Sequence, residues 1–398
     1  MNQVRLKYVV RINPTDLPET TDPGFEFRYL DIGAVGRGRL IEAPEALTFG
    51  QAPSRARRTV LDGDTILATV RTYLRAVWPV RNGGADLVVS TGFAVLRALG
   101  DMDPGYLGWV AQSDCVIEEV VARSSGVSYP AINASDVGDV RIPQPSLAQQ
   151  RWIADYLDRE TARIDARIAA LQRLVVLLKE RYLARVSTLT TQGRARPLRR
   201  CLALRTSGPR GWADRVANEG TPFIRSANLC EGDITLNLNE LARVRVDDDA
   251  AEANRSRTRE GDVLVGITGA NAGWVGYVAS DAAGAFISQH ICLLRPSGVH
   301  GRWLAYALKA QSAQDQLRAG QYGGTKQQLG LDDLAELVIP VPDMDVQSAV
   351  VSALTTEGAA AQETTRLIQS QISLLRERRQ ALITASVTGE LEISEMAA

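Results

Sequence analysis

The chain of 398 residues carries the same pattern twice, at a constant separation. Residues 139–150 read DVRIPQPSLAQQ and residues 336–347 read ELVIPVPDMDVQ, so both contain Ile-Pro-x-Pro and then a polar segment that ends in Gln. The two stretches begin 197 positions apart. This repeat constrains the fold more than any single motif does, because each copy has to form a similar structural unit.

Four further pairs of segments show the same separation. LDGDTILATV corresponds to REGDVLVGIT, VVSTGFAVLRAL to AFISQHICLLRP, GVSYPAI to GGTKQQL, and LLKERYLARVSTLT to LLRERRQALITASV. Within them Ser90 aligns with Ser288, and Arg97 aligns with Arg295. The separation is 197 or 198 throughout. The chain is therefore a tandem duplication of a unit of about 197 residues.

Each repeat divides into a globular part and a helical part. The segments ILATV, LVVST, FAVLRAL, VLVGIT and ICLLRP predict strands. The helical part opens with a capping box at Ser146 and Gln149, and with Asp343 as the N-cap in the second copy. The predicted fold class is α+β, a duplicated mixed α/β domain followed by a long helix. The predicted boundaries are 1–145, 146–192, 193–342, 343–391 and a tail at 392–398.

The first helix has an apolar seam whose intervals are 4, 3, 4, 3 and 4 residues. It consists of Ile164, Ile168, Leu171, Val175, Leu178 and Tyr182. The second copy keeps Ile368, Ile372, Leu375 and Leu382, and we expect Gly358 and Arg379 to loosen or interrupt its helix. One such helix could simply cover its own domain. Two copies favour pairing of the two helices with each other. If they run antiparallel, they form a coiled coil with pseudo-twofold symmetry.

The predicted helix length also suggests a spacing. A helix over residues 161–190 would span about 45 Å, and one turn of DNA is about 34–36 Å. The globular parts of the two repeats, held apart by such a helix, would contact DNA sites about 10–13 base pairs apart on one side of a duplex. The aligned loops differ, since Arg71 stands opposite Gly269 and Arg75 opposite Gly273. This divergence fits two different half-sites, and it also fits neutral drift of surface loops.

At this point the sequence resembles the specificity subunits of Type I restriction–modification systems. The resemblance lies in RIPQPSLAQQRWIADYLDRETARID and VIPVPDMDVQSAVVSALTTEGAAAQ, in the two helix ends, in GDTIL and GDVLV, and in GGTKQQL. It covers essentially the whole chain. It implies two target-recognition domains separated by paired helices, each reading half of a split double-stranded DNA sequence. It also implies two methylation subunits as partners, restriction subunits in the full complex, no catalysis and no cofactor.

The residues agree with a non-catalytic chain. There is no P-loop, no G-x-S-x-G elbow, no Pro-Pro-aromatic motif and no acidic-x-Lys nuclease element. Two histidines and four scattered cysteines lack metal-ligand spacing, so we expect no metal. The N-terminus lacks a signal-peptide core and no membrane span is predicted, so we expect a cytoplasmic protein. The alternative is a structural adaptor with two protein-binding heads on a helical ruler.

The candidate DNA-binding residues are polar side chains in the divergent loops, because Arg suits guanine, and Asn or Gln suits adenine. They are Arg71, Tyr73, Arg75, Thr91, Ser128 and Tyr129, then Asn271, Gln289, His290, Thr325, Lys326, Gln327 and Gln328. Tyr73 could instead be a packed aromatic, and His290 could cap a strand edge. The run Arg55, Arg57 and Arg58 would contact phosphates or form a solvated loop. Leu174 and Leu177 face away from the seam and are candidates for a subunit interface.

Overall fold

A computed structural model describes residues 2–81, 83–246, 251–322 and 327–391. The chain forms two compact units. The first unit contains the described residues up to Ala170 and those from Ser370 onward, and the second unit runs from Leu171 to Gln369. Each unit therefore combines one globular part with pieces of both long helices.

The first repeat forms strands, three short helices and one long helix. In chain order these are β1 (Gln3–Arg5), β2 (Val10–Ile12), β3 (Glu26–Leu30), β4 (Glu45–Thr48), β5 (Ala56–Thr59), β6 (Thr65–Ala68), β7 (Val77–Pro79), β8 (Leu87–Ser90), β9 (Phe93–Ala98), α1 (Pro104–Gln112), α2 (Asp114–Arg123), α3 (Ala134–Gly138), β10 (Arg141–Pro143) and α4 (Leu147–Leu189). The sheets have the orders β2-β9-β6-β7, β4-β3-β8-β5 and β1-β10.

The second repeat has corresponding elements. They are β11 (Arg194–Pro197), β12 (Leu202–Ser207), β13 (Val216–Ala217), β14 (Thr221–Ile224), β15 (Ala242–Val244), α5 (Ala251–Ser256), β16 (Val263–Gly266), β17 (Val275–Tyr277), β18 (Phe286–Ile287), β19 (Ile291–Pro296), α6 (Gly301–Lys309), α7 (Gln311–Ala319), β20 (Gln321–Tyr322), β21 (Gln328–Leu329), α8 (Leu331–Glu336), β22 (Val338–Val341) and α9 (Met344–Thr388). Its sheets have the orders β12-β19-β16-β17, β13-β15-β14-β18, β11-β22 and β20-β21.

The topology confirms the duplication. The sheets β2-β9-β6-β7 and β12-β19-β16-β17 have the same strand order. They also share their register, since Thr65 pairs with Leu96 in one and Val263 pairs with Leu294 in the other. The helices α1, α2, α3 and α4 each begin 197 positions before α6, α7, α8 and α9. The predicted strands and the predicted fold class are therefore confirmed.

A buried ion pair explains the repeated Gly-Asp and the repeated Arg. Arg97 donates to both carboxylate oxygens of Asp64 at 2.8 and 2.7 Å, and Arg295 does the same to Asp262 at 2.9 and 2.8 Å. The two carboxylates are 2% and 1% exposed. Each also accepts a hydrogen bond from the backbone N–H three residues earlier, at 2.8 Å. The pair thus holds the turn before β6 or β16 against the neighbouring strand, and its hydrogen bonds offset the desolvation of the charges.

The Gln at the end of the Pro-rich motif has a structural role. The side-chain oxygen of Gln150 accepts a hydrogen bond from the backbone N–H of Asp103 at 2.8 Å, just before α1. Its amide nitrogen donates to the carbonyl oxygens of Asp101 and Pro145, both at 2.9 Å. Because Gln150 is fully buried, these bonds satisfy polar groups that water cannot reach. The side chain ties the start of α4 to the start of α1.

The second copy repeats this arrangement. Gln347 accepts from the N–H of His300 and donates to the carbonyl of Pro342, both at 2.8 Å. At the start of α4, Ser146 and Gln149 make the predicted reciprocal bonds, at 3.1 and 3.4 Å. The capping box is therefore confirmed, and the repeated motif marks the point where each globular part joins its long helix.

The long helices pair within each unit. In the first unit the beginning of α4 lies beside the end of α9, where Arg379 reaches Asp165 at 3.0 Å. In the second unit the end of α4 lies beside the beginning of α9, where the Tyr182 hydroxyl donates to the Leu354 carbonyl at 3.3 Å. This is the pairing of two antiparallel helices. Every predicted seam residue is buried or half-buried. In the described part of the chain, no helix has the length and apolar character that crossing a membrane requires.

The expected weakness of the second helix is wrong. The helix α9 is continuous through Gly358. A Cβ at this position would lie 2.8 Å from the Tyr182 hydroxyl oxygen, so the glycine allows the tyrosine to pack against α9. Arg379 occupies its seam position by pairing with Asp165, and its guanidinium lies 5.8 Å from the centre of the Trp109 ring. Tertiary contacts outweigh the low helix propensity of glycine.

The core of each unit is completed by the end of the long helix of the other repeat. Ile383 and Val387, near the end of α9, are fully buried in the core of the first unit. Val186, which aligns with Ile383, is fully buried in the core of the second unit near the end of α4. The core of the first unit therefore depends on a segment that lies at the far end of the sequence.

The same helix ends cap short helices with a hydroxyl group. The Thr384 hydroxyl accepts a hydrogen bond from the backbone N–H of Asp114, at the start of α2, at 3.0 Å. The Ser187 hydroxyl accepts one from the N–H of Gln311, at the start of α7, at 2.9 Å. Since the first N–H groups of a helix have no partner inside it, these hydroxyls supply caps from outside the helix.

We expect Thr384→Val to lower the free energy of unfolding by about 1 kcal/mol, because the N–H of Asp114 loses its cap while the side-chain volume is kept. Thr384→Ser keeps the hydroxyl and is the matched control. Denaturant unfolding measures the difference, and hydrogen exchange at Asp114 locates it. Equal stabilities of the valine and serine variants would show that the hydroxyl contributes nothing.

Candidate functional site

Three loops of the first unit meet to form a surface that we call the first loop cluster, residues 69–75, 90–92 and 125–131. The backbone N–H of Thr69 donates to the Gly92 carbonyl at 2.8 Å. The N–H of Arg71 donates to the Pro130 carbonyl at 2.7 Å. These bonds bring the segment after β6, the turn between β8 and β9, and the loop before α3 to one place.

The second unit builds the same arrangement, the second loop cluster, from residues 267–273, 288–290 and 327–329. The N–H of Ile267 donates to the His290 carbonyl, and the N–H of Gly269 donates to the Gln327 carbonyl, both at 2.9 Å. The N–H of Leu329 donates to the Ile267 carbonyl at 2.9 Å. The duplicated frame therefore presents two equivalent sets of loops whose side chains differ.

Two arginines of the first loop cluster have a strained backbone. Arg71 and Arg75 have φ values of 51° and 54°, in the left-handed region. Their aligned residues in the second unit are Gly269 and Gly273, with φ values of 77° and 87°. A side chain in this region costs about 1 kcal/mol, which glycine avoids. The chain therefore keeps two arginines where the backbone favours glycine, and such outliers concentrate at functional positions.

The candidate side chains of the first loop cluster project into solvent. The Arg71 guanidinium lies 4.9 Å from the centre of the Tyr129 ring. Tyr73 and Tyr129 are 54% and 66% exposed, so Tyr73 is not a packed aromatic. Thr91 and Ser128 are exposed as well. Arg75 also reaches Asp114 at 3.4 Å. Donors and aromatic surface are thus brought together.

Three candidates of the second loop cluster make hydrogen bonds inside the protein. The Asn271 amide donates to the carbonyl oxygen of Ser226 at 2.8 Å. The Gln289 side-chain oxygen accepts from the N–H of Gly211 at 3.2 Å, and its nitrogen lies 3.3 Å from His290 Nε2.

The other ring nitrogen of His290 lies 2.5 Å from the Thr268 hydroxyl. The alternative that His290 ties a strand edge is therefore favoured. Gln327 and Gln328 are exposed. Thr325 and Lys326 lie outside the described residues.

The arginine run beside β5 is only partly available to a ligand. Arg55 is paired with Asp31 at 2.9 Å, and its side chain is 55% exposed. Arg57 lies over the Phe49 ring, 4.5 Å from its centre.

Arg58 is half-buried, and this burial lowers the pKa of its guanidinium. Its partner Asp16 is 3.9 Å away. Within this run the geometry suits Arg55 best for a phosphate contact.

The sequence reasoning did not find Arg225 and Ser288. Arg225 follows β14, Ser288 follows β18, and these two strands are parallel neighbours. The carboxyl ends of neighbouring parallel strands meet at one edge of a sheet and often hold ligands. The signal in the sequence was weak, because 62 residues separate the two positions and Arg225 lies outside every repeated motif.

Comparison with known proteins shows which family and which relatives the chain is similar to. Residues 213–373 match the family model of the Type I restriction modification DNA specificity domain. The specificity subunit of the Type I restriction enzyme EcoBI from Escherichia coli is 23% identical over 323 residues, which cover 72% of this chain and 64% of that subunit. The match thus spans less than two thirds of that relative's length.

Two solved structures share the fold. A chain from a structure of the complex assembly and conformational transition of the type I R-M system has a TM-score of 0.74 and 23% identity, with 98% of both chains covered. The HsdS subunit from Thermoanaerobacter tengcongensis has a TM-score of 0.52 and 23% identity, with 98% of this chain and 97% of that one covered. The resemblance to specificity subunits and the fold class are confirmed.

The strain at Arg71 has a measurable consequence for stability. We expect Arg71→Gly to be more stable than Arg71→Ala by about 1 kcal/mol, because both remove the side chain but only glycine lacks the Cβ. At the neighbouring Tyr73, which has no positive φ, the order should reverse, and Tyr73→Ala should be more stable than Tyr73→Gly. Denaturant unfolding of the four variants checks this. The same order at both positions would argue against strain at Arg71.

Proposed function

We propose that this chain is the DNA sequence-recognition subunit of a Type I restriction–modification complex. In this proposal the first and second loop clusters each read one half of an asymmetric, bipartite target. The observation that carries it is the pair of equivalent loop clusters on a duplicated frame, with different polar side chains on each. The matched specificity-domain model and the specificity subunit of the EcoBI enzyme support it.

The first loop cluster suits direct reading of bases. Arginines donate two hydrogen bonds to guanine, and Arg71 and Arg75 reach solvent from a backbone held by hydrogen bonds. Tyr73, Tyr129, Thr91 and Ser128 add aromatic surface and hydroxyls. Arg55 contacts the phosphates of the DNA backbone, which positions the first unit without specifying sequence.

The second loop cluster reads the other half with a different set of side chains. Gln327 and Gln328 are exposed, and Gln suits adenine. Thr325 and Lys326, which lie outside the described residues, belong to this set on the basis of their positions in the sequence. Asn271, Gln289 and His290 contribute by holding the loops, since their side chains are hydrogen-bonded to other groups of the protein.

We infer that the chain is a non-catalytic scaffold. It would hold two methylation subunits, and restriction subunits would join in the full complex. The formal net charge of −1 indicates weak DNA binding by the chain alone, so the partner subunits would supply much of the electrostatic attraction. Leu174 and Leu177 on α4 are 42% and 59% exposed, which suits a contact with a methylation subunit.

We expect Leu177→Gln to weaken assembly with the methylation subunit more than it weakens folding. The side chain is largely exposed, so its loss should change the free energy of unfolding by less than about 0.5 kcal/mol. The adjacent Leu178 lies in the seam and is half-buried, so Leu178→Gln is the control that should destabilise the fold. Thermal unfolding and co-purification separate the two effects. A Leu177→Gln protein that unfolds without selective loss of its partner contradicts the interface.

The decisive experiment is selection of random duplex DNA by this chain together with its methylation subunit, followed by sequencing. We expect a split motif of two unlike halves with an unread gap of about 5–8 base pairs, as the helical spacing suggests. Arg71→Ala should relax one half of the motif and leave the other unchanged. No enrichment with the partner present would favour the protein-binding adaptor.

A further inference from the structure

We propose that Arg225 and Ser288 form a pocket that reads one guanine in the half-site recognised by the second unit. This inference rests on the proposed function and adds a specificity-determining site to it. The two residues follow β14 and β18, which pair in parallel through Phe223 with Phe286 and Ile224 with Ile287. The backbone N–H of Ser288 donates to the Ile224 carbonyl at 2.9 Å, which places Ser288 beside Arg225.

A cavity of about 270 Å³ lies at this edge of the sheet. Its lining includes Phe223, Arg225, Ser226, Ser288, Gln289 and His290. Phe223 is 1% exposed and provides an apolar floor beneath the polar groups. A small recess with an apolar floor and a few convergent polar groups is the usual form of a site for a planar ligand.

One polar group of the recess is exposed, and another has no partner among the described residues. The Arg225 side chain is exposed, and no ion pair joins its guanidinium to a described carboxylate. Ser288 is 4% exposed, and its hydroxyl has no hydrogen-bond partner in the described part of the chain. A buried hydroxyl without a partner is unfavourable, so a ligand that bonds to it gains what the protein alone leaves unsatisfied.

The walls of the recess are held in place by its other polar residues. The backbone N–H of Arg225 donates to the Asn228 side-chain oxygen at 2.8 Å, which fixes the turn that carries the arginine. Gln289 bonds to the N–H of Gly211 and lies beside His290. These residues are positioning residues, and the groups left to meet a ligand are the guanidinium and the hydroxyl.

The chemistry of these two groups favours guanine. A guanidinium donates to the O6 and N7 atoms of guanine in the major groove, and a hydroxyl bonds to a donor or an acceptor. A phosphate would be satisfied by the exposed arginine alone. The hydroxyl of Ser288 favours a base, because guanine offers O6 and N7 to the arginine and further polar atoms on its edge to a hydroxyl, which donates and accepts.

The first unit has different side chains at the corresponding edge of its sheet. The residue after β3 that corresponds to Arg225 is Asp31, which is paired with Arg55 at 2.9 Å. The Ser90 hydroxyl, which corresponds to that of Ser288, accepts from the N–H of Gly92 at 3.3 Å. At this edge of the first unit, the charge of Asp31 is therefore neutralised by an ion pair, and the Ser90 hydroxyl is hydrogen-bonded. This edge therefore offers different chemistry in the two units, so the effect of the pocket should be confined to one half of the target.

The test uses the assembled complex with its methylation subunits. Random duplexes are selected and sequenced for the wild type, for Arg225→Ala and for Ser288→Ala. We expect Arg225→Ala to lose preference for one G·C pair in one half of the motif by about 10- to 100-fold. Ser288→Ala should relax the same position by a smaller factor. The other half of the motif should remain unchanged.

The matched control is Arg255→Ala, which removes one exposed positive charge from the same unit outside the pocket. It should leave the motif unchanged. If Arg225→Ala instead weakens binding to all sequences equally and lowers the salt dependence, Arg225 contacts a phosphate and the inference is overturned. An unchanged motif in both pocket variants also overturns it. A wild-type complex that selects no split motif overturns the proposed function itself, together with the pocket.

Discussion

The structure depends on the burial of the long helix ends in the two cores. The first unit buries Ile383 and Val387 from the end of α9, and the second buries Val186 from the end of α4. Removing such residues from a core leaves cavities that cost several kcal/mol, so neither globular part is complete without its helix end. Because Thr384 and Ser187 also cap α2 and α7, the helix ends are fixed by polar contacts as well as by packing.

Buried polar contacts connect the long helices to the strands and turns that lead into the loops. Gln150 joins α4 to the start of α1, and the pair of Asp64 with Arg97 joins the turn before β6 to β9. In the second copy, Gln347 joins α9 to the start of α6, and Asp262 pairs with Arg295. Buried polar groups stabilise little in net terms, but each bonds in only one geometry, so they select one arrangement of the strands that carry the loops.

Much of this fold was predictable from local signals. Ser146 marked the start of α4 through its capping box, and the seam spacing predicted the paired helices. The failures came from contacts that are remote in sequence. Gly358 fits within α9 because Tyr182 packs against it. Arg225 becomes a candidate for ligand binding only because its strand lies beside a parallel strand that is remote in sequence. For the candidate site, the sequence named residues that the structure gathers into the two loop clusters, but it could not tell exposed candidates from ones bonded inside the protein, such as Asn271.

The two units place different side chains on a constant backbone. At the left-handed positions, one copy has Arg71 and the other Gly269, although both backbones are the same. At the sheet edge, one copy has Asp31 and the other Arg225, again on the same strand ends. A side chain changed at such a position alters the chemistry offered to a ligand without moving the frame. The strain retained at Arg71 follows from this, because the duplicated backbone is set by hydrogen bonds and the side chain has to adapt to it.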